Sequence, residues 1–332
     1  MQKIIALVLT LVMVLALTAC GTTEPSGEKE LTKITVCLDW TPNTNHTGMY
    51  VALAKGFYKD AGLDVEIVQP DAEMAPQVVG ANKAQFGVDA QDTLAAALVG
   101  EGAMDVTAVA AILQHNTSTI MTLGSKGITS PKLLEGKRYS TWDSPIELAI
   151  IRKLMEDDGG DYSKVQLIPN VIDNESEGLA QDQTDSIWVF RGWGGVKAEL
   201  EGYEMNYMDL KDFGEELDYY TPVLIASNKF LESNPEEAKA FMAATKKGYE
   251  YAVENPEEAA KILIEAVPEI GDEDFITASL KYLAEYFVDE NGNWGTIDAE
   301  RWDSFYSWLN DNGLVENGPL AKGQGFTSDY LE

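Results

Sequence analysis

Asp39, Trp40, Asn43, Asn45 and His46 put a carboxylate, an aromatic ring, two amides and one of only two histidines within eight positions. They follow Ile34-Thr35-Val36-Cys37, whose β-branched residues read as a short buried strand. Similar groups recur where later strands should end: Gln91 and Asp92 after Ala90, His115 with Asn116, Trp142-Asp143-Ser144, and Trp188, Phe190, Arg191 and Trp193. Aromatic faces among amides, carboxylates and one guanidinium suit a flat polar ring, with faces stacking and edges exchanging hydrogen bonds. Each group also has a plainer role. Trp40 and Trp188 could be core, Asp39 could cap a turn, Asn43 and Asn45 could serve only the backbone, and Ser144 with Glu147 spells a helix capping box. A hydrogen-bonded structural histidine is the default for His46. The dense grouping in WTPNTNH and WVFRGW argues the other way, because short loops seldom need so many distinct donors.

Catalytic patterns are scarce. There is no GxSxG, and a Cys–His pair would have to use Cys37 inside an apolar strand. With 55 acidic residues, pairs of carboxylates carry no information. His46 and His115 with Asp39 or Asp92 lack the HxxxH or HxH spacing of a metal site, and RGWGG lacks the Lys-Ser/Thr of a phosphate loop. The expectation is a binding site with no catalytic residue, metal or cofactor.

These groups need strands to end in one place. From Leu31 the chain alternates strand and helix, which predicts α/β layers with a largely parallel sheet. Expected strands are 34–40, 63–67, 85–89 and 106–113, with helices over 48–61, 75–82 and 93–99. A second unit starts near Ile120, with strands 137–142, 165–168 and 186–190 and a helix from Pro145 to Asp157. After a strand at Val223–Ser227 everything is helical. Asn234-Pro235-Glu236-Glu237 and Asn255-Pro256-Glu257-Glu258 repeat one helix start, with an Asn cap, Pro at the first position and acids over the dipole. This order predicts an inserted second lobe: 31–119 and 223–332 form the first, 120–222 the second. Two segments would cross near Asn116–Ile120 and Tyr219–Pro222, and a ligand would sit between the lobes beyond the strand ends.

The N-terminus reads as an export signal. Met1-Gln2-Lys3 is followed by an apolar run, Ile4 to Leu17, too short to span a bilayer of about 30 Å. Leu17-Thr18-Ala19-Cys20-Gly21 resembles a bacterial lipobox, which implies removal of residues 1–19 and a lipid on Cys20. Residues 20–30 would then be a tether to the extracytoplasmic face of the cell membrane. Cys37 is the only other thiol, so no internal disulfide forms and Cys37 is read as core. A net charge of −31 repels nucleic acid and anionic lipid alike, so neither is expected as a partner, and its plain effect is solubility.

The stretch Leu38-Asp39-Trp40-Thr41-Pro42-Asn43-Thr44-Asn45-His46-Thr47-Gly48 resembles the opening motif of the NMT1/THI5-like substrate-binding proteins. So do Gly56-Phe57-Tyr58, Gln114-His115-Asn116-Thr117-Ser118, Trp142 to Glu147, Ile187 to Trp193 and Leu217 to Pro222, across nearly all of the chain beyond the signal. The resemblance implies a two-lobed periplasmic-binding-protein fold hinged by two crossing strands. It also implies a monomeric receptor lipoprotein for an ABC permease, capturing a thiamin pyrimidine precursor such as hydroxymethylpyrimidine or formylaminopyrimidine. Relatives take riboflavin, nitrate, taurine or other sulfonates. Matching motifs assign the pocket to Trp40, Asn45, His46, Gln91, Asp92, Trp142, Trp188 and Trp193, and the strand-end reading adds Asp39, Asn116, Ser144 and Arg191. An enzymatic branch, the fungal pyrimidine synthases, carries a histidine in His-Thr-Leu-Ala-Ala and a cysteine cluster. Here Asp92-Thr93-Leu94-Ala95-Ala96 and Asp218-Tyr219-Tyr220-Thr221-Pro222 stand in those places, so no enzyme is expected. Arg191 departs from the family pattern and would favour an anionic ligand if it faced the site.

Overall fold

The computed structural model describes residues 30–169 and 171–331. The expected signal, the expected lipidation site Cys20 and all of the expected tether except Glu30 lie outside the described residues. Of a first compact unit, 1–31, only Glu30 and Leu31 are described; the architecture below is that of the second, Thr32–Glu332.

Two five-stranded sheets form, each with its own helices. In chain order the elements are β1 (Thr32–Cys37), α1 (Thr47–Ala54), α2 (Phe57–Asp60), β2 (Leu63–Val68), α3 (Ala75–Gly80), β3 (Phe86–Asp89), α4 (Gln91–Ala97) and β4 (Val106–Ala111). Next come β5 (Ser118–Leu123), β6 (Arg138–Thr141), α5 (Pro145–Asp157), β7 (Gln166–Pro169), α6 (Glu175–Ala180), β8 (Ser186–Phe190), α7 (Val196–Leu200) and β9 (Met205–Asp209). Then β10 (Val223–Ser227) leads into α8 (Asn228–Ser233), α9 (Pro235–Glu254), α10 (Pro256–Ala266), α11 (Glu273–Phe287) and α12 (Ala299–Asp311).

The first sheet runs β2-β1-β3-β10-β4 and the second β7-β6-β8-β5-β9. The expected parallel pairing holds for β1 with β2 and β3, and for β6 with β7 and β8. It fails at the strands that follow the crossings. β10 is antiparallel to both neighbours, as is β5, so each sheet is mixed. A strand arriving from the other sheet enters from the cleft end and runs against strands that point toward it. The crossings, 112–117 and 210–222, are bonded together, with the Ile112 N–H donating to the Pro222 carbonyl at 3.0 Å.

Local boundaries also moved. The single helix expected over 48–61 divides at Gly56, whose left-handed φ of 77° favours a residue without a Cβ. Helix α4 starts at Gln91, two residues early, so Gln91 and Asp92 occupy its first turn. Asn234 and Asn255 precede Pro at the helix start as expected, yet neither side chain caps. Each ends one helix while starting the next, and the Asn255 amide donates backward to the Tyr251 carbonyl at 3.1 Å. Gly48, inside the opening motif, has a packing role. A Cβ there would fall 2.2 Å from the Tyr249 ring, and one on Gly248 would fall 2.0 Å from the Gly48 carbonyl, so α1 and α9 cross backbone to backbone. Around that crossing Tyr58, Phe86 and Phe241 stack in the core of the first lobe.

Candidate functional site

The β1–α1 loop is a capped turn that shapes one wall of a cavity. Asn43, extended, accepts the Asn45 N–H on Oδ1 at 3.0 Å, and its own N–H donates to His46 Nδ1 at 3.1 Å. Nδ1 is therefore an acceptor, which places the imidazole proton on Nε2. That nitrogen donates to Asp39 Oδ1 at 2.9 Å. His46 is fully buried and reaches no ligand space; it fixes the carboxylate that does. Burial pushes Asp39 up, but the His46 bond and nearby backbone N–H groups outweigh it and hold the carboxyl below its ordinary value. Asp39 thus faces the cleft as an anion.

The cavity measures about 340 Å³, within the size range of small-molecule sites. Asp39, Trp40, Thr41, Asn43, Thr44 and Asn45 line it from the first lobe, joined by Leu283 of α11. Phe190, Gly192 and Trp193 line it from the end of β8, and Glu175 from the start of α6. Thr117, Thr221 and Pro222 come from the two crossings. Among the described residues the side chains of Asn45 and Glu175 have no hydrogen-bond partner, so both can be offered to a ligand. Trp40 is 67% exposed at the mouth, and Trp193 lies edge-on to Phe275 at 4.7 Å. The arrangement can hold one flat ring between aromatic faces, with acceptors and an amide at its edge.

Of the twelve ligand residues expected from sequence, Asp39, Trp40, Asn45 and Trp193 reach the wall. The others do not, each for a visible reason. Gln91 is buried and spent, donating to the Trp302 carbonyl at 2.9 Å and accepting the Tyr220 N–H at 3.0 Å. Asp92 sits in the first turn of α4, where burial raises its carboxyl. Asn116 clasps the returning crossing: Nδ2 donates to the Leu217 carbonyl at 2.9 Å, and its N–H donates to Asp218 Oδ1 at 2.8 Å. Trp188 is core, with Trp142 against its edge at 5.8 Å. Ser144 is the cap of α5, its N–H donating to Glu147 Oε2 at 3.3 Å. Arg191 lies behind the wall. Its guanidinium stacks on the Tyr207 ring at 3.5 Å, with Nη2 3.5 Å from Glu199.

Sequence reasoning missed Thr44, Thr117, Glu175, Gly192, Thr221 and Leu283 as wall residues. Glu175 follows a strand, which was the usable signal, but among 55 acids it did not stand out. Leu283 belongs to a helix more than two hundred residues from Asp39, and no local pattern brings it there. Among the described residues no group of three or more His, Cys, Asp or Glu side chains is placed to hold a metal.

Two mixed sheets joined by paired crossings, with a cavity at the strand ends, define the two-lobed α/β fold of periplasmic binding proteins. The aliphatic sulphonate binding protein SsuA from Escherichia coli shares it with a TM-score of 0.67 over 91% of this chain and 99% of that one, at 13% identity. The desulfurization enzyme DSZB has the same fold, with a TM-score of 0.66 over 90% of this chain and 97% of that one, at 13% identity. Residues 43–259 match the family model described as NMT1/THI5 like, and the chain belongs to that family. It is 30% identical to the formylaminopyrimidine-binding protein of Halalkalibacterium halodurans over 98% of each chain. It is 28% identical to the Saccharomyces cerevisiae 4-amino-5-hydroxymethyl-2-methylpyrimidine phosphate synthase THI11 over 73% of each chain. The family therefore includes both a binding protein and synthases.

Proposed function

We propose that this protein is the extracytoplasmic solute-binding component of an ABC importer, and that its solute is an aminopyrimidine precursor of thiamin, formylaminopyrimidine or hydroxymethylpyrimidine. One observation carries the chemistry: the His46-fixed carboxylate of Asp39, beside the unpartnered amide of Asn45, in a cavity faced by Trp40, Phe190 and Trp193. An exocyclic amino group donates to Asp39, a ring nitrogen pairs with Asn45, and the ring stacks on the aromatic walls. Closure of the two lobes excludes water and strengthens these bonds. The protein is a monomer anchored through Cys20, and it hands its solute to a membrane permease without chemical change. The full-length relationship to the Halalkalibacterium binding protein supports the receptor role over a synthase role. An anionic solute such as a sulfonate or nitrate is disfavoured, because the guanidinium it would need is stacked on Tyr207 behind the wall.

A thermal-shift panel of formylaminopyrimidine, hydroxymethylpyrimidine, thiamin, riboflavin, taurine and nitrate tests this. A true ligand at about 100 times its Kd stabilises the fold by roughly 2.7 kcal/mol. Shifts with the two pyrimidines alone are expected, with unchanged ligand recovered after hours. A shift with taurine or nitrate and none with the pyrimidines would remove the assignment.

A further inference from the structure

Helix α11 belongs to the first lobe, yet it packs on the turn Arg191–Gly195 of the second, beside the first crossing, whose Gln114 N–H donates to the Tyr286 carbonyl at 2.6 Å. At the centre of that contact is Ser279, fully buried, with its hydroxyl between two residues that line the cavity. Its Oγ donates to the Gly192 carbonyl of the second lobe. It also lies 2.7 Å from Thr44 Oγ1 of the first. A serine hydroxyl has one proton, and the carbonyl can only accept. The direction of the chain is therefore set: the Thr44 hydroxyl donates to Ser279, and Ser279 donates to Gly192. Gly192 permits the approach. A Cβ on it would fall 2.5 Å from Leu283 Cδ2 and 2.8 Å from Leu283 Cγ. Edge-on packing of Trp193 against Phe275 covers the same seam.

We propose that Ser279 is the positioning residue that latches the two cavity walls together and so sets how long the solute is held, although it touches no solute itself. Thr44 and Ser279 stay together on the first lobe, so opening strands the Gly192 carbonyl and the Ser279 proton at once, and a buried polar group without its partner opposes that separation. The proposal rests on the receptor reading above for its kinetic consequence, but not for the latch.

The test is stopped-flow binding of formylaminopyrimidine to wild type, Ser279→Ala, Thr44→Val and the double variant, with small-angle scattering of each without and with solute. The Ser279→Ala protein should release solute about tenfold faster at an unchanged association rate. The two single losses should not add in the double variant, because they break one chain. Gly192→Ala should go further, enlarging the radius of gyration by wedging α11 from the turn. A release rate within twofold of wild type for Ser279→Ala, or fully additive losses, would overturn the latch while leaving the receptor reading intact. If wild type binds no pyrimidine, the receptor reading falls and scattering alone decides the latch. An expanded radius for Ser279→Ala and Gly192→Ala then supports it, and unchanged radii refute it.

Discussion

The loops after β1 and β6 are built from nearly the same parts and do opposite work. Each follows the strand at the heart of its parallel ladder, each pairs a tryptophan with an aspartate, and each closes with a capping box, Asn43 with His46 or Ser144 with Glu147. The first supplies six cavity residues and the second none. The difference lies in the third residue of each box. His46 has one acceptor and one donor, so after serving Asn43 it still holds Asp39, whose carboxylate lines the cavity. Glu147 is a buried carboxylate that takes everything nearby: the Tyr139 hydroxyl at 2.8 Å, the Thr141 hydroxyl at 2.8 Å and the N–H groups of Trp142 and Ser144 at 3.1 and 3.3 Å. Asp143 is left in a left-handed conformation with φ of 60°, and Trp142 is 52% exposed. The box closed by an imidazole stands in the cavity wall; the box closed by a carboxylate makes a strut.

The contrast breaks if Asp39 is dispensable. Asp39→Asn should weaken formylaminopyrimidine binding about 100-fold, the loss of one charge-assisted hydrogen bond in a closed site, as read by calorimetry. Glu147→Gln should do the converse, costing about 2 kcal/mol in denaturant unfolding while leaving affinity within about twofold. An affinity loss with that variant would mean the second loop also belongs to the site.

Acid titration sharpens the same point. The Asp39 carboxyl is held below its unfolded value, so the stability and binding it contributes are complete above about pH 4. They are lost as pH falls through the lower folded value. Affinity should drop below about pH 4 in wild type, and Asp39→Asn should lack that acid limb. The smallest effect is expected from Arg191→Ala. Solute affinity should hold within about twofold, with about 1 kcal/mol of stability lost with the Tyr207 stack.

Periodicity and turn chemistry made most elements legible: β8, β10, α5 and the capping box of Ser144 stand where the sequence placed them. The strand directions were not legible, because alternation of strand and helix says nothing about a strand returning from another sheet. For the site, clusters at strand ends identified the right loop but overcounted its ligands. Gln91 and Asn116 are polar residues at strand ends that bond backbone groups of the returning crossing, Tyr220 and Leu217, a demand created only once that crossing is in place. Ser279 and Leu283 carry no local mark at all, since only the packing of α11 across the cleft gives them a role.

The central claim is that a His46-fixed Asp39, and not Arg191, selects the solute. Parallel calorimetric titration of wild type, Asp39→Asn and Arg191→Ala with formylaminopyrimidine and with taurine tests it most directly. The account predicts tight binding of the pyrimidine alone, lost in Asp39→Asn and kept in Arg191→Ala. Taurine binding that vanishes in Arg191→Ala, with the pyrimidine inert, would contradict it.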